Sequence, residues 1–334
     1  MGAEFDSRPT PIKDARVLQV RDLFVRFQNN GRTVPAIDGI SFTIERGETL
    51  GLIGESGCGK TTTALSLLRL LPRDARISGR VELSGQDLLA LPERALARVR
   101  GSRIAMVFHD PLAALNPVLR IGAQIAEGLR VHRGLDRQGA RASTLDLLSR
   151  VGLEGTTADL HPHQLSGGMR QRALIAMAIA CGPAVLVADE PTSALDPVVQ
   201  AEILLLLRGL RQERGLALLV ATHDLAFAAR LCDRLAVLYA GRIVEHAGAA
   251  GLLAHPRHPY TAGLLRSLPP PLGAGSDAPL EPVAGSPPLP WALPSGCRFR
   301  DRCPRAQADC AADDPELVGS GGREVACFHP LEAS

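Results

Sequence analysis

Short apolar runs and longer amphipathic ones alternate along this chain, and their order sets the expected architecture. Leu23, Val25 and Phe27 alternate with polar partners and predict a half-buried strand. Residues 41–44 predict another, with a turn at Arg46, Gly47 and Glu48. Residues 49–53 form a continuous apolar run into glycines, the pattern of a strand buried on both faces. A helix is expected over 60–71, stopped by Pro72. From about 117 to 162 the pattern is amphipathic-helical with almost no strand signal, as in an all-helical insertion. Strands at 185–188 and 216–221 then flank a helix over 197–214 with Pro197 in its first turn. This alternation predicts an α/β fold with a largely parallel sheet covered by helices.

The glycines after the third run carry the first chemistry. Gly54-x-x-x-x-Gly59-Lys60-Thr61 matches the phosphate-binding P-loop pattern, after a buried strand and before a helix. Gly54, Glu55, Ser56, Gly57, Cys58, Gly59, Lys60, Thr61 and Thr62 are therefore candidate nucleotide contacts. Backbone N–H groups of such a loop turn toward phosphate oxygens, and the helix adds its positive end. Lys60 is expected on the β- and γ-phosphates and the Thr61 hydroxyl on Mg²⁺. The strand at 185–188 runs into Asp189 and Glu190. Asp189 is placed beside the metal, and Glu190 where it can polarise an attacking water.

Composition sharpens one of these residues. Of 37 cationic side chains, only Lys13 and Lys60 are lysine. A lysine kept against that bias marks a place where a compact charge on a flexible stem is wanted. Aromatics are 3 % of the chain, so the core must rest on aliphatic residues. A net charge of +2 argues against a bulk nucleic-acid binder. The uncharged stretch at 173–188 is broken by Gly182 and Pro183. It falls short of the roughly 20 residues a membrane span needs. Residues 1–16 lack the apolar core of a signal peptide and read as a tail or cloning remnant. A cytosolic chain with reduced or metal-held cysteines is expected.

The segment Leu165-Ser166-Gly167-Gly168-Met169, upstream of the Asp189-Glu190 strand, resembles the signature motif of ATP-binding-cassette (ABC) ATPases. Ser193 to Asp196 resembles that family's D-loop, and His223 after an apolar strand its switch histidine. The resemblance runs from about 17 to 255. It implies a RecA-like core, an antiparallel β subdomain and a helical subdomain at about 110–165. It also implies that two cassettes sandwich ATP head to tail, with Ser166, Gly167 and Gly168 meeting the partner's ATP. Glu190 and His223 would be catalytic, and Phe27 would stack on adenine. One residue departs from the family: His109 stands where it has glutamine, near the Mg²⁺ and the water. An imidazole is shorter than glutamine and could ligate or hydrogen-bond in its place. Either the replacement is tolerated, or the site is altered within an asymmetric heterodimer, where hydrolysis would be slower with ATP binding retained.

The character changes after Leu268. Residues 269–294 contain nine prolines and read as a linker. Cys297, Cys303, Cys310 and Cys327 then gather four thiols among Arg298, Arg300, Arg302 and Arg305. Their spacing fits neither zinc ribbons nor ferredoxins. Iron–sulfur, zinc, and disulfides or free thiols stay open, and the arginines would offset the charge of a cluster. The run from His258 to Pro269 and the later Cys-Arg-Phe-x-x-Arg-Cys-Pro resemble dipeptide and oligopeptide importers of the same family. That implies a C-terminal extension from 256 that can carry a [4Fe–4S] cluster. It implies a second related ATPase, two permeases, a solute-binding protein and the cytoplasmic face of the membrane. Peptide cargo is expected; nickel, glutathione or another solute, or a hydrolysis-impaired regulatory cassette, are the alternatives.

Overall fold

A computed structural model describes residues 15–29, 31–193, 195–267 and 282–332. The first 14 residues of the expected tail, and 269–281 of the proline-rich stretch, lie outside the described residues. The chain opens with β1 (Arg16–Asn29), β2 (Arg32–Glu45), β3 (Thr49–Ile53) and α1 (Lys60–Leu67). Next come β4 (Ala75–Leu83), β5 (Gln86–Asp87), α2 (Glu93–Val99) and β6 (Ile104–Val107). A helical stretch follows: α3 (Pro111–Ala114), α4 (Ile121–Arg133), α5 (Arg137–Arg150) and α6 (Gly167–Ile179). Strands and helices then alternate through β7 (Val185–Asp189), α7 (Pro197–Arg214), β8 (Ala217–Thr222), α8 (Leu225–Leu231), β9 (Arg234–Tyr239) and β10 (Arg242–Gly248). The chain closes with α9 (Ala249–Ala254), α10 (Pro259–Arg266), α11 (Asp309–Ala312), β11 (Val318–Ser320) and β12 (Arg323–Val325).

Two sheets form. The smaller is antiparallel in the order β2-β1-β4-β5, and the larger runs β11-β12-β10-β9-β3-β8-β7-β6. From β9 to β6 the larger sheet is parallel, and β10 and β12 extend it antiparallel. β3, β7 and β8 are buried along their whole length. Alternate residues explain the unbroken apolar runs. Val185 and Val187 face the layer shared with the small sheet and α1, and Leu186 and Ala188 face the layer under α4–α8.

The first helix is shorter than its pattern predicts. α1 ends at Leu67 because Arg69 turns left-handed (φ +50°) and the Leu70 N–H bonds back to Leu65 O at 2.9 Å. That closure stops the helix before Pro72 is reached. The C-terminal stretch is no free appendage, since β12 pairs with β10 at Glu245–Val325 and His246–Glu324.

Candidate functional site

β3, β8, β7 and β6 lie side by side and parallel, so their carboxyl ends open on one edge of the sheet. The loop after β3 carries Gly54 to Lys60, β8 delivers His223, β7 delivers Glu190, and β6 leads to His109. A cavity of about 660 Å³ lies there. Gly54 to Gly57, Gly59 to Thr62, His109, Glu190 and His223 line it, with Leu225 and Leu264. Glycine is required at 54: φ is +154°, and a Cβ would stand 2.2 Å from Leu238 O.

Inside the loop, Lys60 Nζ donates to Gly54 O at 2.8 Å and Glu55 O at 3.1 Å, and stands 3.8 Å from Glu190 Oε1. A buried ammonium held by two carbonyls and one carboxylate is positioned to meet phosphate oxygens at the cavity. Thr61 Oγ1 donates to Asp189 Oδ1 at 3.1 Å. Burial pushes the Asp189 carboxyl up; the Thr61 hydrogen bond opposes that, and Glu190 adds to it. A hydroxyl and a buried carboxylate side by side fit a hard divalent cation.

Glu190 adopts a left-handed backbone (φ +47°), which costs a non-glycine residue roughly 1–3 kcal/mol. Its N–H holds Ala221 O at 2.8 Å, and the Ser193 N–H and hydroxyl hold its carbonyl. Its Oε2 meets His223 Nδ1 at 2.9 Å and accepts from the Thr222 hydroxyl at 3.3 Å. His109 Nδ1 lies 2.9 Å from Ser193 Oγ. That hydroxyl also donates to Glu190 O at 3.0 Å, so His109 reaches the backbone of Glu190 through Ser193.

Other predicted residues stand elsewhere. Phe27 does not line the cavity; it is half-buried and packs on the core under the small sheet. Cys58 is buried behind the loop, where desolvation raises its thiol pKa. Ser166, Gly167 and Gly168 start α6 outside the cavity, with Ser166 Oγ capping Met169 N at 3.2 Å. Asp196 caps α7, accepting from Val198 N and Val199 N at 3.1 Å each.

The arginines of the cysteine segment divide between the thiols and the rest of the fold. Cys297, Cys303, Cys310 and Cys327 line one small cavity with His258, Phe299 and His329. Arg298 instead pairs with Asp38, Arg300 holds Ser295 and Ala311, and Arg302 pairs with Glu55 of the P-loop. Arg300 and Arg305 line the cavity with the thiols, and Arg305 lowers Cys303 and Cys327 against the upward push of burial. Burial also pushes Cys297 up to about 11.

Residues 37–193 match the ABC transporter family, and residues 244–310 match the oligopeptide/dipeptide transporter C-terminal region. A putative peptide import ATP-binding protein of Brucella abortus is 46 % identical over 95 % of this chain and 96 % of its own. The oligopeptide transport ATP-binding protein OppD of Salmonella typhimurium is 42 % identical over 95 % of this chain and 94 % of its own.

The chain belongs to the ATP-binding subunits of ABC transporters, in the oligopeptide/dipeptide importer subfamily. It is an ABC ATPase in fold and activity. A solved dimeric cassette in a post-hydrolysis state, bound to ADP and phosphate, superposes with TM-score 0.63 at 28 % identity, covering 70 % of this chain and 98 % of that one. The cbiO1 subunit of a Clostridium perfringens ABC transporter complex superposes with TM-score 0.63 at 29 % identity, covering 72 % and 92 %. Among the described residues, no helix of this ATPase is long and apolar enough to cross a membrane.

Sequence reasoning missed Arg302, Tyr260, Ser193, Leu225 and Leu264 as neighbours of the site. A signal for Tyr260 existed, since the chain has only two tyrosines. Both stack with Phe299 behind the loop, at 5.3 Å between ring centroids.

Proposed function

We propose that this ATPase powers import of dipeptides or oligopeptides, working as one of two cassettes that close head to tail on ATP. The observation that carries the reading is the split site. Lys60, Thr61, Glu190 and His223 gather at one cavity, while Ser166 and Gly167 lie exposed outside it. The free N-terminus of α6 suits a phosphate held by another cassette. Glu190 orients or deprotonates the attacking water, and His223 holds its carboxylate and meets the γ-phosphate. Thr61 and Asp189 hold Mg²⁺, with His109 as a further candidate ligand; the ion supplies charge neutralisation at the phosphates. A second, related ATPase, two permeases and a solute-binding protein complete the assembly on the cytoplasmic face of the membrane.

The four thiols would hold a [4Fe–4S] cluster. Among the described residues, no three of their sulfurs come within 4.8 Å of one another; Asp309, Cys310 and His329 are the set that does. Tetrahedral zinc at about 2.3 Å from each sulfur would set them roughly 3.8 Å apart. A cluster binding each thiolate at a separate iron suits the wider spread. Anaerobic preparation with visible absorption and an iron count tests this; a colourless protein containing zinc overturns it.

Cargo is tested in the assembled transporter in vesicles, with labelled peptides, nickel and glutathione as competing substrates. ATP-dependent peptide uptake supports the reading. Uptake of nickel or glutathione alone overturns it.

A further inference from the structure

The phosphate-binding loop is gripped from behind by residues that never reach the nucleotide cavity. Arg302 Nη1 and Nη2 donate to Glu55 Oε2 and Oε1 at 2.7 and 2.9 Å, a two-pronged ion pair. The side chain of Arg302 is 5 % exposed. Its guanidinium lies over the rings of Tyr239 and Phe299, 5.7 and 5.9 Å from their centroids. Its Nε donates to Ala284 O at 2.8 Å. That cation is engaged by Glu55, by Tyr239 of β9 and by Ala284 and Phe299 of the C-terminal segment, which fixes its position.

Tyr260 grips the same loop residue. It is fully buried, and its hydroxyl accepts from the Glu55 N–H at 2.9 Å. That N–H shares one planar peptide unit with the Gly54 carbonyl, which accepts from Lys60 Nζ at 2.8 Å. Fixing one end of a rigid plane fixes the other. Tyr260 therefore sets the carbonyl on which the phosphate-seeking lysine rests. Gly54, in a backbone region open to glycine, would otherwise let that plane turn cheaply.

We propose that Tyr260 and Arg302 are positioning residues for the phosphate-binding loop, through which the C-terminal segment of this chain sets its ATP affinity. Neither lines the nucleotide cavity. Glu55 does line it, and Arg302 neutralises its carboxylate. Loss of Arg302 thus loosens the loop and also exposes a bare anion to the phosphates. The inference rests on the ATPase assignment and is independent of the cargo.

The test uses the full chain titrated with a fluorescent ATP analogue, and the assembled transporter assayed for KM and kcat. Arg302→Gln is expected to raise the nucleotide Kd and KM roughly 10- to 100-fold. Its kcat stays within about threefold, because the hydrolytic groups are untouched. Tyr260→Phe raises Kd roughly three- to tenfold, the effect of one lost neutral hydrogen bond. The double variant falls short of the product of the two, because both act on one residue. Arg302→Lys recovers only part, since a point charge cannot hold both oxygens. Adding Glu55→Gln to Arg302→Gln recovers affinity by removing the exposed anion. Unchanged Kd and KM in variants with the wild-type Tm would overturn the proposal. So would a lowered Tm and active fraction with an unchanged Kd in the folded protein, which marks a merely structural role. If Arg302→Gln does not fold, Tyr260→Phe and Arg302→Lys decide the matter on the same criteria. Failure of peptide uptake by the wild type would sink the cargo reading and leave this one standing.

Discussion

Replacing Glu190 by glutamine separates two effects of that carboxylate. Glu190 Oε1 stands 3.8 Å from Lys60 Nζ, so it competes with ATP for the cation of the loop. A unit charge pair at 3.8 Å is worth about 1 kcal/mol in water and about 4 kcal/mol at an effective dielectric of 20. Lys60 is 6 % and Glu190 13 % exposed, so the local medium lies between those limits. The amide of glutamine still accepts from Thr222, and desolvation offsets part of the pair. A net gain for ATP of about 1–2 kcal/mol follows, or roughly 5- to 30-fold tighter binding. Removing the carboxylate also relieves Asp189, whose carboxyl is held up by burial first and by Glu190 as a lesser cause. Easier ionisation of Asp189 acts in the same direction by favouring the metal.

Hydrolysis responds oppositely. Loss of a general base costs roughly 10²- to 10⁴-fold, about 3–5 kcal/mol in the barrier. The two arms are read on one preparation: nucleotide Kd by titration of the full chain, and phosphate release by the assembled transporter. Glu190→Gln hydrolysing within about threefold of wild type would refute the assigned role of the residue. A Kd weakened rather than tightened would refute the competition for Lys60, whatever happens to the rate.

His109→Gln is expected to raise turnover in the assembled complex several-fold, roughly 1 kcal/mol in the barrier, with nucleotide Kd little changed; an unchanged rate removes His109 as a brake. At Gly168 a Cβ would meet Val199 Cγ1 at 2.7 Å, so Gly168→Ala pushes α6 off α7. Overpacking of that kind costs about 1–3 kcal/mol, read as a fall in Tm, with the Kd of the chain's own cavity unaltered. His258 is buried at the start of α10, which depresses its pKa to about 3. Its unfolded value is about 6.5. As pH falls from 6.5 toward 3 the unfolded chain takes a proton that the folded chain refuses. Stability is therefore lost on acidification, by at most about 1.4 kcal/mol per pH unit from this group. Urea midpoints at pH 7.5 and 5.5 in wild type and His258→Gln check it: the variant's slope should be shallower by one proton.

The nucleotide half of the site was legible because its chemistry is local in sequence. Gly54 to Thr61 is one loop, and Asp189 and Glu190 end one strand. Their apolar approaches mark strands buried on both faces, and parallel neighbours bring the ends together without further information. The isolated Lys60 worked as a marker because the chain otherwise uses arginine. Phe27 was ambiguous in the sequence, because stacking on a base and packing on a core leave the same trace, a lone aromatic in a strand. The partners of two arginines near the cysteines were hidden for a different reason. Proximity in sequence suggested a charge role toward the thiols, but Arg298 and Arg302 reach Asp38 and Glu55 across 260 and 247 residues of chain. No periodicity carries such a pairing.

Those long-range pairs alter what the cysteine segment is within the fold. Glu245 in β10 is fully buried, yet it is satisfied by the N–H groups of Arg257 and His258 and lies 3.7 Å from Arg323 of β12. His258 in turn caps Tyr260 N through Nδ1 at 3.0 Å and bonds the Ala326 backbone, one residue from Cys327. Tyr260 then holds the Glu55 N–H. A series of polar contacts thus links Ala326, the neighbour of Cys327, to the loop before Lys60. Hydrogen bonds are directional, so these contacts tolerate less displacement than an aliphatic contact does. The segment after β10 therefore bears on the ATPase through the geometry of the phosphate loop, by way of Tyr260 and Arg302 on Glu55.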